Sequence, residues 1–354
     1  QWYFHTIHMN NNKEEKIMNK LTKYGVSALC GSLAAVSAAN AGDLTVTGGV
    51  DMSWISLDDE STGNPIGIGS NVSFAGSGEL DNGWGVKLAI DATNALAYSS
   101  ANVTVSIPGL GDVLVSQGLS GTGIDRMDDN TPTAWEEAYG AGLGSGINTV
   151  AGASGGAGIE ITPTDIMPSG ITMRVHWTPD AGGSNAADKG SGTNESVTNS
   201  GYDVTLEASG DATPDGLTVY GGISRVDQDQ GSTALNDDIS EWTAGIKYAV
   251  GGFTLGYQYS EEDNGRATTT TGYDNTGYGI VFAINDDLSM SYNNYESKQL
   301  GTTSNTLEAS SIQLAYSSGG LSIRIAEQTV DNKNYSTAAA NQRDATTLSV
   351  ALAF

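Results

Sequence analysis

The stretch that decides the fold is Thr346-Thr-Leu-Ser-Val-Ala-Leu-Ala-Phe354, at the end of the sequence. From Leu348 to Phe354 every second residue is apolar, and the residues between are serine or alanine. Side chains alternate between the two faces of a strand, so this period of two predicts a strand with one apolar and one small or polar face. We expect it to pair with the first strand and close a membrane β-barrel, because closure removes both sheet edges.

Upstream of this stretch the same alternation recurs in short segments, which together predict sixteen strands. Short turns alternate with longer loops, and we interpret Asp58–Gly67, Asp227–Asp238 and Glu261–Gly272 as loops. All seven prolines fall in the predicted turns and loops, as hydrogen-bonded strands require. An even number of strands with this rhythm is typical of an all-β, transmembrane antiparallel barrel.

The faces that alternate with the apolar residues carry threonine, serine, asparagine, glycine, aspartate, lysine and arginine rather than large apolar groups. A barrel of sixteen strands is too wide for side chains to fill, so we expect an aqueous channel. Alternation alone does not exclude a soluble sandwich or solenoid, whose interior would be apolar.

The first part of the sequence is predicted not to belong to the barrel. Residues 1–17 are polar and patternless, and we interpret them as a non-native or untranslated leader. Residues 18–41 have a basic start, a short apolar run and the small-residue site Ala39-Asn40-Ala41, which predicts a cleaved signal peptide. The barrel domain is then 42–354, with no cysteine because Cys30 lies in the predicted signal peptide.

The formal net charge is −26, from 15 basic and 41 acidic residues. This sign argues against nucleic-acid binding, which requires cationic surfaces.

One internal segment, Gly118 to Gly156, has no strand pattern and follows the fifth predicted strand. Unpatterned loops of this length are uncommon and are usually functional or disordered. Its charged residues cluster on both sides of Pro132, and they are Asp125, Arg126, Asp128, Asp129, Glu136 and Glu137. These side chains either line a pore or solvate a surface loop.

The chain resembles the Gram-negative general porins, which are trimeric sixteen-stranded outer-membrane channels. The resemblance covers 43–354 and rests on the leader end, the strand count, the Leu-Ser-Val-Ala-Leu-Ala-Phe terminus and the long third loop. It implies that this third loop folds into the lumen and narrows it, with the six charged residues above at the constriction. It also implies a homotrimer in contact with outer-membrane lipid and lipopolysaccharide, and a role for Phe354 in barrel closure.

Basic residues on the predicted inward face would then oppose the acidic loop, and the candidates are Lys87, Arg174, Lys247 and Arg324. The resemblance implies that basic wall residues opposite an acidic loop create a transverse electric field across the channel. Each base could instead pair with a neighbouring carboxylate.

The function that these features predict is passive diffusion of ions and small hydrophilic solutes. Clustered carboxylates favour cations, so we expect a cation preference. The alternatives are a structural or adhesive surface barrel, a solute-specific channel, and a barrel hydrolase built on Ser154 in Gly152-Ala-Ser-Gly-Gly156 with His176 as its base.

No cofactor is expected, and no cluster of cysteine and histidine predicts a zinc site. Acidic runs at Asp58-Asp-Glu60, Asp227-Gln-Asp229 and Glu261-Glu-Asp263 lack the spacing of an EF-hand and predict at most loose calcium binding.

Overall fold

The computed structural model describes residues 44–58, 63–94, 96–154, 156–181, 198–228, 235, 237–267, 270–302 and 304–353. The predicted leader and signal peptide lie outside these residues, and so does Phe354.

Sixteen strands make up the described fold. The first eight are β1 (Thr45–Leu57), β2 (Ile66–Glu79), β3 (Gly85–Thr93), β4 (Ala97–Ile107), β5 (Gly111–Gln117), β6 (Ala157–Thr162), β7 (Ile171–Thr178) and β8 (Thr198–Ala208). The second eight are β9 (Leu217–Gln228), β10 (Ile239–Val250), β11 (Phe253–Asp263), β12 (Thr270–Ala283), β13 (Leu288–Gly301), β14 (Thr306–Ser318), β15 (Leu321–Asp331) and β16 (Arg343–Ala353).

The strands form one closed antiparallel barrel in which each strand pairs with its neighbours in sequence. The seam is the pairing of β1 with β16, which runs from Gly49 opposite Ala353 to Leu57 opposite Ala345. The predicted barrel and its closure by the C-terminal strand are therefore confirmed. Closure leaves no unpaired edge, which is what a sheet in lipid requires.

The two faces of the barrel wall differ in chemistry. Large apolar side chains such as Trp54, Leu88, Leu255 and Ile323 are exposed on one face of each strand. Their neighbours in sequence are mostly small or polar, and many of these are buried. We call the second set the inner face, because a membrane barrel presents its apolar band to lipid. Among the described residues no helix is long and apolar enough to cross a membrane.

Several strands extend further than the alternation indicates. The loops predicted at Asp227–Asp238 and Glu261–Gly272 lose residues to β9, β11 and β12, and β2 begins at Ile66 inside the predicted first loop. The predictions at β9 and β11 were wrong at their edges because the outward positions there are polar, as Asp227 and Glu261 illustrate. Without an apolar member the period of two disappears from the sequence, although the backbone ladder continues.

A small apolar core lies on the inner face, contrary to the expectation of a wholly polar inner wall. Its members are Ala138, Leu143, Tyr295, Leu307, Ala309, Val330, Tyr335 and Ala345. Two of them come from the loop between β5 and β6, which we call the third loop (118–156), and Tyr139 of that loop packs edge-on against Tyr295 with ring centroids 4.9 Å apart. The core thus joins the third loop to β13–β16.

Candidate functional site

The third loop follows the inner face around much of the barrel. It begins with a short 3-10 helix, Gly123–Met127, that contacts β7 to β10. Further along, the Thr131 hydroxyl donates to the Tyr295 hydroxyl on β13 at 2.9 Å. At its far end the Asn148 amide donates to the Tyr335 hydroxyl at 2.9 Å, between β15 and β16.

Three buried glutamines on the inner face hold the loop backbone: Gln258 on β11, Gln313 on β14 and Gln328 on β15. The Gln258 amide donates to Met127 O at 2.7 Å, and its oxygen accepts from the Asn130 amide at 2.9 Å. The other two make the same kind of two-way contact with Glu136 and with Leu143. An amide side chain can both donate and accept, so it satisfies an irregular backbone where no strand can pair with it. Sequence analysis did not single out these residues, since a lone inward glutamine resembles any other polar wall residue.

The acidic residues of the loop lie close enough together to perturb one another. Burial first and then repulsion from Asp129 raise the pKa of Asp128 to about 8. Burial and Asp129 likewise raise the pKa of Glu137 to about 8. The pKa of Asp125 is also raised by burial, against a hydrogen bond from the Gly121 amide at 2.6 Å. We call Asp128, Asp129 and Glu137 the acidic cluster; the two raised pKa values leave part of it protonated at neutral pH.

Arg126 points away from this cluster to the wall. Its Nη2 lies 2.5 Å and 2.6 Å from the two carboxylate oxygens of Glu160 on β6. The Nε of Arg174 on β7 lies 4.0 Å from the same carboxylate. Two predicted cationic site residues therefore share one buried partner, which reduces the field that either can project into the channel.

Arg324 on β15 lies at the seam of the barrel. Its Nη1 is 3.1 Å from Asp51 Oδ2 on β1, and its guanidinium lies 5.8 Å from the ring centre of Trp135 on the third loop. The pKa of Glu136 is raised by burial and lowered in part by this arginine. Asp51 is thus a charged wall residue that sequence analysis missed, and alternation from Trp54 would have placed it on the inner face.

The other two predicted bases have weaker contacts. The Lys247 ammonium on β10 lies 3.5 Å from Asn130 Oδ1 of the loop and 5.5 Å from the ring centre of Tyr220. Lys87 on β3 is exposed. The loop thus meets three of the four bases, Lys247, Arg324 and, through Glu160, Arg174.

The part of the wall formed by β1–β4 has its own carboxylates. Asp91 on β3 accepts hydrogen bonds from the Ser73 and Ser100 hydroxyls, the second at 2.9 Å. A cavity of about 810 Å³ lies beside the seam, and its polar lining includes Asp51, Asn71 and Ser73. This wall is therefore polar and mixed in charge rather than uniformly basic, which differs from the arrangement that the family resemblance implies.

The residues that a hydrolase would need do not form a catalytic pair in the described part of the chain. His176 is buried, and its Nε2 lies 2.9 Å from the Thr178 hydroxyl. Ser154 has no recorded hydrogen bond to it among the described residues.

One of the three acidic runs that predicted loose calcium binding is part of a strand. Glu261–Asp263 belongs to β11, and Glu261 accepts a hydrogen bond from the Trp242 indole at 3.2 Å. No group of three or more potential metal ligands occurs among the described residues. Asp59, Glu60 and Asp229 of the other acidic runs lie outside them.

Comparison with known proteins agrees with this architecture. The family of Gram-negative porins matches residues 25–354. The chain belongs to the Gram-negative porin family. Among curated proteins none matches it.

Solved porin structures show the same fold at low sequence identity. OmpF of Salmonella typhi, in a complex with daunomycin, is 12% identical with a TM-score of 0.65, and the match covers 88% of this chain and 98% of that one. OmpT, an outer membrane protein of Vibrio cholerae, is 10% identical with a TM-score of 0.62, covering 88% and 98%. A mutant porin of Rhodopseudomonas blastica is 19% identical with a TM-score of 0.55, covering 88% and 100%. Family and fold together identify an outer-membrane porin channel whose strands span the membrane.

Proposed function

We propose that this porin is a passive, cation-preferring diffusion channel in which the third loop lies across the lumen as the constriction. Ions and small hydrophilic solutes move down their gradients, and no chemical step is involved. The observation that carries the proposal is the sequence of contacts from the loop to inward side chains of β6 to β16. Such a path around the wall narrows the lumen and leaves a passage beside β1–β5.

The charges near that passage favour cations. Of the predicted bases, Arg126, Arg174 and Arg324 each face a carboxylate, which leaves Lys87 and Lys247 against the acidic cluster, Glu136 and Asp91. Charges within roughly 8 Å of an ion act on it most strongly at physiological salt. The preference is therefore moderate and set locally rather than by the total charge of the chain.

The family resemblance supports three further parts of the proposal. Residues 18–41 direct export and are removed, the protein assembles as a homotrimer, and lipopolysaccharide surrounds its apolar outer face. Exposed side chains such as Trp177, Tyr257 and Ile280 supply apolar surface for both contacts.

A loop-shortened variant tests the proposed constriction. The Thr149 hydroxyl lies 3.3 Å from Asp128 Oδ2, so the two limbs of the loop meet there. Replacing residues 130–147 with two glycines therefore bridges a short gap and keeps both limbs.

The assay is the swelling rate of proteoliposomes in sugars of increasing size. We expect the shortened variant to admit larger sugars than the parent. If both have the same size limit, the loop does not form the constriction; if neither admits any sugar while both are folded, the barrel is not an open diffusion channel.

A further inference from the structure

A row of polar residues, five of them ionisable, crosses the inner wall behind the third loop. Its members are nearest neighbours on successive strands from β6 to β11, in the order Glu160, His176, Asp203, Ser224, Glu241 and Glu262. Three of its carboxylates are almost wholly buried: Glu160 is 4%, Asp203 0% and Glu241 7% exposed. Buried carboxylates are costly unless they are hydrogen-bonded or paired with a cation.

Backbone amides of the third loop satisfy these carboxylates. Gly123 N donates to Glu160 at 2.8 Å. Gly152 N donates to Glu241 at 2.6 Å, and Ala151 N does so at 3.2 Å. The donors belong to two different limbs of the loop, the one that leaves β5 and the one that returns to β6.

Asp203 binds both limbs at once. Its Oδ2 accepts from Ile124 N at 3.2 Å, and its Oδ1 accepts from Ala153 N at 3.0 Å. The carboxylate is thus the point at which the outgoing limb, the returning limb and the wall are joined. Ile124 and Ala153 are themselves fully buried, so water does not replace either contact.

Two glycines permit this close approach. Gly123 and Gly152 have positive φ angles of 56° and 66°. A Cβ at Gly123 would stand 1.8 Å from Asp203 Oδ2, and one at Gly152 would stand 2.7 Å from the same atom. Both limbs are therefore shaped to bring bare backbone against one carboxylate.

We propose that Asp203, supported by Glu160 and Glu241, is the positioning group that fixes the third loop and thereby the width of the channel. This proposal rests on the proposed function, in which that loop is the constriction. These carboxylates bind backbone amides, so their action does not depend on which side chains the loop presents to solutes. Asp203 thus holds the base of the loop, while the acidic cluster sets selectivity.

The decisive variant is Asp203→Asn. An asparagine keeps the size of the side chain but replaces one acceptor oxygen with an NH₂ group, so one of the two limbs meets a donor instead of an acceptor. Losing one charged hydrogen bond is expected to raise the population of displaced loop about tenfold. In single-channel recordings this appears as frequent transitions between conductance levels and as a higher mean conductance.

The matched control is Glu207→Gln, on the same strand and the same inner face four residues later. It removes the same charge without a recorded contact to the loop. Any change shared by both variants reflects the lost charge. Excess transitions in Asp203→Asn alone reflect the lost hydrogen bond between Asp203 and the loop. Migration of unheated samples on gels establishes that each barrel is folded.

A covalent tether provides the rescue. A Cβ at Gly201 would lie 2.7 Å from the Cβ of Ala153, so a slight outward shift of the loop places the pair at the spacing of a disulfide. When Gly201→Cys and Ala153→Cys are added to Asp203→Asn, oxidising conditions should restore the parental conductance and its low frequency of transitions. Reduction of the disulfide should bring the frequent transitions back.

Two results would overturn the inference or its basis, and they are distinguishable. If the loop-shortened variant conducts more than the parent while Asp203→Asn is as quiet as Glu207→Gln, the loop constricts but Asp203 does not position it. If the loop-shortened variant leaves conductance unchanged, the proposed function itself is wrong. The expected result is that Asp203→Asn shows frequent transitions, which the oxidised tether suppresses.

Discussion

The acidic cluster should make the cation preference of this porin depend on pH. The pKa values of Asp128 and Glu137 are raised to about 8 because burial and repulsion from Asp129 disfavour their charged forms. Both carboxyls are therefore largely neutral below about pH 7 and ionised above about pH 9. Raising the pH adds negative charge to the third loop, so cation preference should increase with pH.

The magnitude follows from Coulomb's law. A unit charge acts on an ion about 7 Å away in water with about 0.6 kcal/mol, which screening at about 0.1 M salt reduces to about 0.3 kcal/mol. The carboxylate stabilises a cation by this energy and destabilises an anion by the same amount, so each ionised carboxylate changes the ratio of cation to anion permeability about threefold.

The assay is the reversal potential in a salt gradient, measured from about pH 6 to about pH 9. Glu137→Gln should remove much of the increase. Asp81→Asn, which changes an exposed carboxylate on a short turn, should leave it intact. A permeability ratio that is flat with pH in the parent protein would refute the placement of the cluster beside the ion path.

Three further variants extend the account. Arg324→Gln should raise cation preference about threefold in reversal-potential measurements, since it leaves Asp51 without its partner at 3.1 Å; an unchanged ratio would place this pair outside the ion path. Gln258→Ala should cost about 1–3 kcal/mol of local loop stability, because the Asn130 amide loses the oxygen to which it donates at 2.9 Å. Hydrogen exchange of that amide should become faster, and unchanged protection would mean that the loop is held elsewhere. Deleting Phe354 should lower the yield of folded protein in the outer membrane, and a normal yield would argue against its role in closure.

The fold was predictable because lipid imposes a simple rule on the sequence. Wherever a strand meets hydrocarbon, every second side chain must be apolar, as from Leu348 to Leu352. Beyond the hydrocarbon this rule no longer applies, which is why alternation alone places the ends of β9 and β11 in loops. Strand count and closure survive such errors because they depend on the central part of each strand.

The site was predictable only as a segment. Length and lack of pattern marked 118–156 as a candidate functional loop, yet its path depends on amide contacts with buried wall residues such as Gln313 and Asp203. Nothing in a single sequence distinguishes an inward aspartate that holds a loop from one that faces water. The partners of Arg126 and Arg324 were hidden for the same reason, since Glu160 and Asp51 come close only when the barrel forms.

The most direct test of the central claim is single-channel recording of the purified, folded protein in a planar bilayer under a salt gradient. A constricted, cation-preferring porin predicts discrete conductance steps that close in threes and a reversal potential of the sign for cations. The absence of conductance from protein shown to be folded, or a reversal potential of the sign for anions, would contradict it.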